Sequence, residues 1–315
     1  MKDFLTKWGK NEYNKRSIIF ITIATGTGGL FMAQIEMLPN LIKRSFSFGK
    51  KFVSDVFAPK IGLALSGGSV WGLAHIGVLK ALEEYQIPIS YISGTSVGAL
   101  IGGLYASGIS ASKLEELAYQ TQWKDLCRFA IPHGGLFTNE PMESLIHKHI
   151  GYKTFEDLKI PFAAICTDLI SGEEVVIQSG KFTTAIRAST AIPGIFQPVV
   201  VEGRTLVDGG VVNNLPVTQL KKMGANYTIA VHLFSDLNQW IPKTGPEIIL
   251  KSFLIMQHRA SWHEISQADL LIDINLKGFN PIDLNQSKKL IQRGYERALE
   301  KRKEIKKISR QQKSS

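Results

Sequence analysis

Two stretches of this chain repeat one local pattern, and that pattern constrains the fold more than any other feature. Ile61-Gly62-Leu63-Ala64-Leu65 is a short apolar run, the glycine-rich segment Ser66–Gly72 follows it, and Leu73–Tyr85 then carries Leu73, Ile76, Leu79 and Leu82 at helical spacing. Ile89–Ser93 is a second apolar run, ending in a second glycine-rich turn, after which Val97–Ala106 reads as a small, apolar helix. Strand, turn and helix in alternation predict α/β layering around a mainly parallel sheet. Further strands are expected at Phe162–Thr167, Glu174–Gln178, Arg204–Val207 and Tyr227–Val231. Helices are expected at Ser112–Thr121, Met142–His149, Thr183–Ser189 and 247–267. No internal repeat is present.

Charge divides the chain into three parts. Residues 1–60 hold ten Lys/Arg against four Asp/Glu and residues 286–315 hold eleven against three, net +6 and +8, which leaves residues 61–285 at −4 within a total of +10. The expected organisation is therefore a basic and apolar extension at 1–59, an α/β domain at 60–285, and a basic C-terminal helix and tail at 286–315. Within that last part Lys288–Ile308 reads as a charged helix with no sharp apolar face beyond Leu290, Ile291, Ala298 and Leu299. Basic ends suit an anionic surface, a membrane before a nucleic acid, although most such charge runs are solvated tails.

Ser17–Ala33 runs without a charge, just short of spanning length, and its three glycines and three threonines weaken it as a membrane helix. The segment 17–35 is expected to contact a membrane or, failing that, to form a helix packed on the domain. Phe31-Met32-Ala33 is a poor signal-cleavage site, so a cytoplasmic or membrane-peripheral location is expected ahead of secretion. Cys127 and Cys166 cannot build a disulfide framework. No Cys/His cluster has metal-ligand spacing, and neither metal nor cofactor is expected. The sequence does not set an oligomeric state.

Three segments carry chemistry. Gly94-Thr95-Ser96-Val97-Gly98 fits the nucleophile-elbow pattern, in which Gly94 and Gly98 clear space for a tight strand-to-helix turn. Ser96 would stand at a helix N-terminus, which favours negative charge nearby. A serine nucleophile needs a base. Asp208 ends the Arg204–Val207 run and is followed by Gly209 and Gly210, which would let the carboxylate approach another loop closely; an ordinary Asp-Gly-Gly turn has the same sequence. The segment Ser66-Gly67-Gly68-Ser69-Val70-Trp71-Gly72 can present successive amides to an anion, either an oxyanion or a phosphate. The dinucleotide fingerprint fails at Ser69, and no Gly-Lys-Ser/Thr follows to make a nucleotide P-loop. His232, His258 and His263 all follow Asp208, so the order of a Ser–Asp–His triad is formally open; His75 reads as structural.

Taken together, the glycine-rich loop, G-x-S-x-G and Asp-Gly-Gly resemble the patatin-like phospholipases. The stretches "GLAHIGVLKAL" (72–82), "GTSVGALIGGLYASG" (94–108), "PFAAICTDLISGEEVVIQSG" (161–180), "ASTAIPGIFQPV" (188–199) and "LVDGGVVNNLPV" (206–217) read like that family's signatures. "ADLLIDINLKGF" and "LIQRGYERAL" are similar to its C-terminal portion, so the resemblance covers about Lys60 to Glu300. It implies a three-layer α/β/α domain with a serine–aspartate dyad, Ser96 as nucleophile and Asp208 as base, and no catalytic histidine. It further implies an oxyanion hole at Gly67, Gly68 and Ser69, and hydrolysis of phospholipid or lysophospholipid esters through an acyl-serine. One departure stands out. The family's loop carries a third glycine and then a basic residue where this chain has Ser69 and Trp71. Two other readings follow: a lipid-binding or regulatory protein with weak turnover, in which Trp71 replaces a cation that supports the oxyanion, and a Ser–His–Asp esterase.

Overall fold

The computed structural model describes residues 17–24, 30–37, 60–130, 134–233 and 240–313, in two compact units that divide near residue 58. In the first unit β1 (Ser17–Ala24) and β2 (Leu30–Met37) pair antiparallel, with Ser17 opposite Met37 and Ala24 opposite Leu30. The packed helix, which was the alternative expectation for 17–35, is thus replaced by a strand pair. Ile18, Ile19, Ile21, Thr22 and Ile23 are β-branched and favour extended backbone, and three glycines separate the two runs in sequence.

The second unit contains β3 (Ile61–Leu65), β4 (Ile89–Thr95), β5 (Arg128–Phe129), β6 (Gly135–Thr138), β7 (Phe162–Asp168), β8 (Glu174–Ile177), β9 (Gly194–Phe196), β10 (Val199–Val201), β11 (Arg204–Asp208), β12 (Tyr227–His232) and β13 (Leu270–Asp273). Its helices are α1 (Ala74–Glu84), α2 (Val97–Ala106), α3 (Ala111–Gln120), α4 (Trp123–Leu126), α5 (Glu140–Ile150), α6 (Phe182–Ser189), α7 (Val217–Met223), α8 (Gly245–Ile265), α9 (Ser287–Glu300) and α10 (Arg302–Lys313).

The central sheet has the order β10-β11-β7-β4-β3-β12-β13, with β8 also paired to β7. β7, β4, β3, β12 and β13 run parallel, whereas β8, β10 and β11 join antiparallel at one side. Every residue of β3 and β7 is buried, as expected of parallel strands covered on both faces. Ile61, Leu63 and Leu65 face the larger core with α1 and α2, while Ala64 and Ala230 face a smaller one with Leu215, Val217 and Leu220 around α7. Helices thus cover both faces, which is the expected three-layer α/β/α arrangement. A separate small sheet, β5-β6-β9, stands beside it.

The C-terminal helix is not a loose charged tail. Leu290, Ile291, Gly294 and Ala298 of α9 are buried, and α9 packs along α1. The contact depends on two glycines. A Cβ on Gly77 would lie 2.5 Å from the Tyr295 nitrogen, and one on Gly294 would lie 2.7 Å from the Ala74 carbonyl carbon. Leu290, Ile291 and Ala298 were legible in the sequence as apolar positions, whereas Gly294 gave no apolar signal and its role in the contact shows only in the packing.

Candidate active site

Ser96 sits between the end of β4 and the start of α2 with φ 55° and ψ −127°, a backbone conformation that side chains seldom adopt. The sharp turn exists because its flanking residues are glycines. A Cβ on Gly94 would come 2.5 Å from the Gly98 carbonyl, and one on Gly98 would come 2.6 Å from the Ser66 carbonyl oxygen. The Ser96 amide donates to Ser189 Oγ at 3.0 Å, and the Ser189 hydroxyl donates to the Ile165 carbonyl at 2.6 Å. This chain of bonds from β7 through α6 braces the strained turn.

Asp208 ends β11, opposite Cys166 of β7, and is fully buried. Its amide donates to the Ala191 carbonyl at 2.9 Å, and its own carbonyl accepts from Thr167 Oγ1 at 3.0 Å. Oδ1 accepts the Gly210 amide at 2.8 Å. Gly209 and Gly210 are obligatory for reasons of space: a Cβ would lie 2.6 Å from the Ile165 carbonyl carbon in one case and 2.8 Å from Gln257 Cδ in the other. Burial raises the Asp208 carboxyl to about 7, opposed by the Ser96 hydroxyl and the Gly210 amide. The hydroxyl is therefore near enough to act on the carboxyl, yet Oδ2 has no aligned hydrogen-bond partner among the described residues.

The glycine-rich loop divides into two parts. The Gly67 amide is consumed internally, donating to the Asn214 carbonyl at 3.2 Å and to Asn214 Oδ1 at 3.1 Å. Gly67 was expected among the oxyanion donors, and here its amide is directed at Asn214 instead. The Gly68 and Ser69 amides have no acceptor among the described residues, and Ser69 shares a cavity wall with Ser96. Ser69 takes φ 54°, so a side chain stands in the left-handed region where the family has glycine. Trp71 is buried in the core and donates its indole N–H to the Phe279 carbonyl at 3.1 Å. Its side chain is not among the cavity walls, so it does not stand in for a cation beside the serine.

Asn213, Asn214 and His75 lie in the signature stretches and support the site from behind. Asn214 bonds the Gly67 amide and, through Nδ2, Ser261 Oγ at 3.2 Å. The Asn213 carbonyl accepts from Thr95 Oγ1 at 2.9 Å, tying the elbow strand to the segment after Asp208. His75 is buried, with Nε2 2.8 Å from the Ser66 carbonyl, and burial lowers its pKa to about 4, so a neutral ring props the loop. His232 pairs with Asp273 at 2.8 Å and stacks on His258 at 5.6 Å between centroids, while His263 is exposed. No histidine is among the groups that act on Asp208. Among the described residues no cluster of His, Cys, Asp and Glu could hold a metal ion.

Ser96 opens onto a cavity of about 160 Å³ whose walls include Val97, Leu100, Leu104, Leu117, Met142 and Ile146. Ser69 and Ser96 are the polar groups at one part of a lining that is otherwise dominated by aliphatic side chains. The α2, α3 and α5 helices supply that lining, and the sequence reading gave no hint of it.

The architecture is that of a parallel α/β protein with a serine in a strand-to-helix elbow and a buried carboxylate beside it. The family model for patatin-like phospholipase matches residues 63–221, just over half of the 315 residues, and the chain belongs to that family of lipid acyl hydrolases. An uncharacterized NTE family protein of Mycobacterium tuberculosis is 38% identical over 182 residues, 56% of this chain and 49% of that one. Lysophospholipase NTE1 of Mycosarcoma maydis is 34% identical over 220 residues, 68% of this chain and 12% of that one. The human patatin-like phospholipase domain-containing protein 6 is 35% identical over 186 residues, 56% of this chain and 13% of that one. The match thus spans about half the length of the mycobacterial relative and a small part of the other two. Among the described residues no helix is long and apolar enough to cross a membrane.

Proposed function

We propose that this chain hydrolyses carboxylic esters of phospholipids or lysophospholipids through an acyl-serine, with Ser96 as nucleophile and Asp208 as base. The observation that carries the reading is the strained Ser96 elbow beside a fully buried carboxylate at an aliphatic cavity. Asp208 Oδ2 takes the hydroxyl proton as Ser96 Oγ attacks the ester carbonyl. The Gly68 and Ser69 amides and the α2 N-terminus receive the oxyanion. Collapse expels the alcohol, which takes the proton back from Asp208. Water, deprotonated by Asp208, then releases the fatty acid and restores the serine. A carboxyl near 7 divides its time between the forms needed to accept and return a proton at neutral pH. The cavity would hold the acyl chain, which supports a lipid over a polar ester.

Two features bear on the rival readings. The amide of Ser69 survives the loss of glycine, and Trp71 lies away from the cavity, so nothing here favours a binding protein with weak turnover. The Ser–His–Asp reading has no support either, because the histidines after Asp208 have other surroundings. The test is fatty-acid release from lysophospholipid and from a short-chain ester. Ser96→Ala and Asp208→Asn should each lower kcat by about a thousandfold or more, with the double variant little worse than either. Turnover that survives in folded Ser96→Ala refutes the reading.

A further inference from the structure

The outward face of α8 is apolar where a surface helix is ordinarily polar. Leu250, Phe253, Leu254 and Gln257 turn inward and are buried. On the opposite side Ile248, Ile255 and Trp262 recur every seven residues with Met256 beside them, and they are 54%, 39%, 54% and 52% exposed in that order. At about 1.5 Å per residue the stripe from Ile248 to Trp262 extends along about 21 Å of this 21-residue helix.

The stripe leads to the cavity. Ile249 packs against Gly194 at the start of β9, and Phe196 at the end of that strand is a cavity wall. Across the small sheet Phe196 meets Phe137 at 6.5 Å between centroids, and Phe137 meets the edge of Phe129 at 6.0 Å. Phe129 is 73% exposed. α8 also packs on the Gly209–Val211 turn that follows Asp208. Apolar surface thus runs from solvent to the mouth of the site on elements that frame it.

Its charges are cationic. Arg259 lies on the same stripe, with its guanidinium 4.6 Å over the Trp262 ring, and Lys243 and Lys251 flank it. Glu247 is engaged in capping, accepting the Lys243 and Thr244 amides at 2.5 and 3.2 Å. An aromatic ring under a cation, amid aliphatic side chains, suits the boundary between head groups and acyl chains.

We propose that the outer face of α8, together with Phe129, seats on an anionic lipid bilayer, so that a lipid passes from the leaflet into the cavity without crossing water. The proposal rests on the reading that the cavity takes an acyl chain. It uses a surface distinct from the basic ends of the chain.

Sedimentation with vesicles of phosphatidylcholine and phosphatidylglycerol tests it on the full chain. The parent and Ser96→Ala should bind alike. The triple variant Ile248→Gln/Ile255→Gln/Met256→Gln should bind about tenfold more weakly or worse, since three partly buried aliphatic contacts are lost. The same variant should hydrolyse a monomeric short-chain ester at the parent rate, because none of its changes touches the cavity. A blue shift of tryptophan emission on vesicles should be lost in Trp262→Phe. A parent that stays in the supernatant overturns the proposal, as does a triple variant that binds as well as the parent. A parent that is dimeric by light scattering and turns monomeric on the triple change also overturns it and assigns the face to a second copy. Loss of the catalytic reading would appear separately, as ester turnover retained by Ser96→Ala.

Discussion

Asp208→Asn should make the folded protein more stable at pH 8 while abolishing turnover. The carboxyl is fully buried, and burial raises it from 3.8 to about 7. One unit of such a shift is about 1.4 kcal/mol, so ionising Asp208 costs the native state about 4 kcal/mol. The sign follows from the raised value. The native state holds the proton more tightly than the unfolded chain, and its stability from this group is complete below about pH 4. That stability is lost as pH rises toward 7, and above 7 the whole cost is carried. An asparagine keeps the acceptor for the Gly210 amide and never ionises. The variant should therefore gain up to about 4 kcal/mol at pH 8 and little at pH 4.5. Urea unfolding of parent and variant at both pH values measures this. A difference that is the same at both, or a variant less stable at pH 8, refutes the argument. The companion assay is kcat/KM against pH, which should fall on the acid side with an apparent pKa of about 7. Activity that stays flat down to about pH 5 would exclude Asp208 as the base.

Two further outcomes follow from space and polarity. Gly98→Ala would bring a Cβ to 2.6 Å from the Ser66 carbonyl oxygen, where neither backbone can retreat. It should cost about 3 kcal/mol and lower Tm by about 6–12 °C, and a parent-like melt would show that the elbow is looser than described. Trp71→Arg restores the residue type common in the family, but here it would bury a guanidinium and remove the bond to the Phe279 carbonyl. It should destabilise by about 3–5 kcal/mol and not raise turnover; a folded variant with faster hydrolysis would refute the buried placement.

Much of the site could be read from the chain because its rules are short-range. Gly94, Ser96 and Gly98 lie within one turn, and the clash that glycine avoids at Gly94 is with Gly98 itself. The parallel sheet likewise followed from strand, turn and helix in succession, since each step is local. The pairing of β1 and β2 is not legible in the same way, because an uncharged run fits helix and strand equally by length and only its β-branched content favours the strand.

What the sequence by itself determined is the elbow, the order of the three glycine-rich segments, and the α/β layering with its family. Only the tertiary structure decided which loop amides are open, how acidic Asp208 is, which side chains line the cavity beside Ser96 and which helix faces are bare. Gly67 and Gly68 are adjacent and chemically alike. Among the described residues only the Gly67 amide of the two has an acceptor, because Asn214, 147 positions away, folds against it. Asp208 reaches a pKa near 7 because β7 and its neighbours exclude water around it, and that exclusion is a property of packing. Burial and hydrogen-bond competition depend on distant partners, and a linear pattern carries no record of them until the chain is folded.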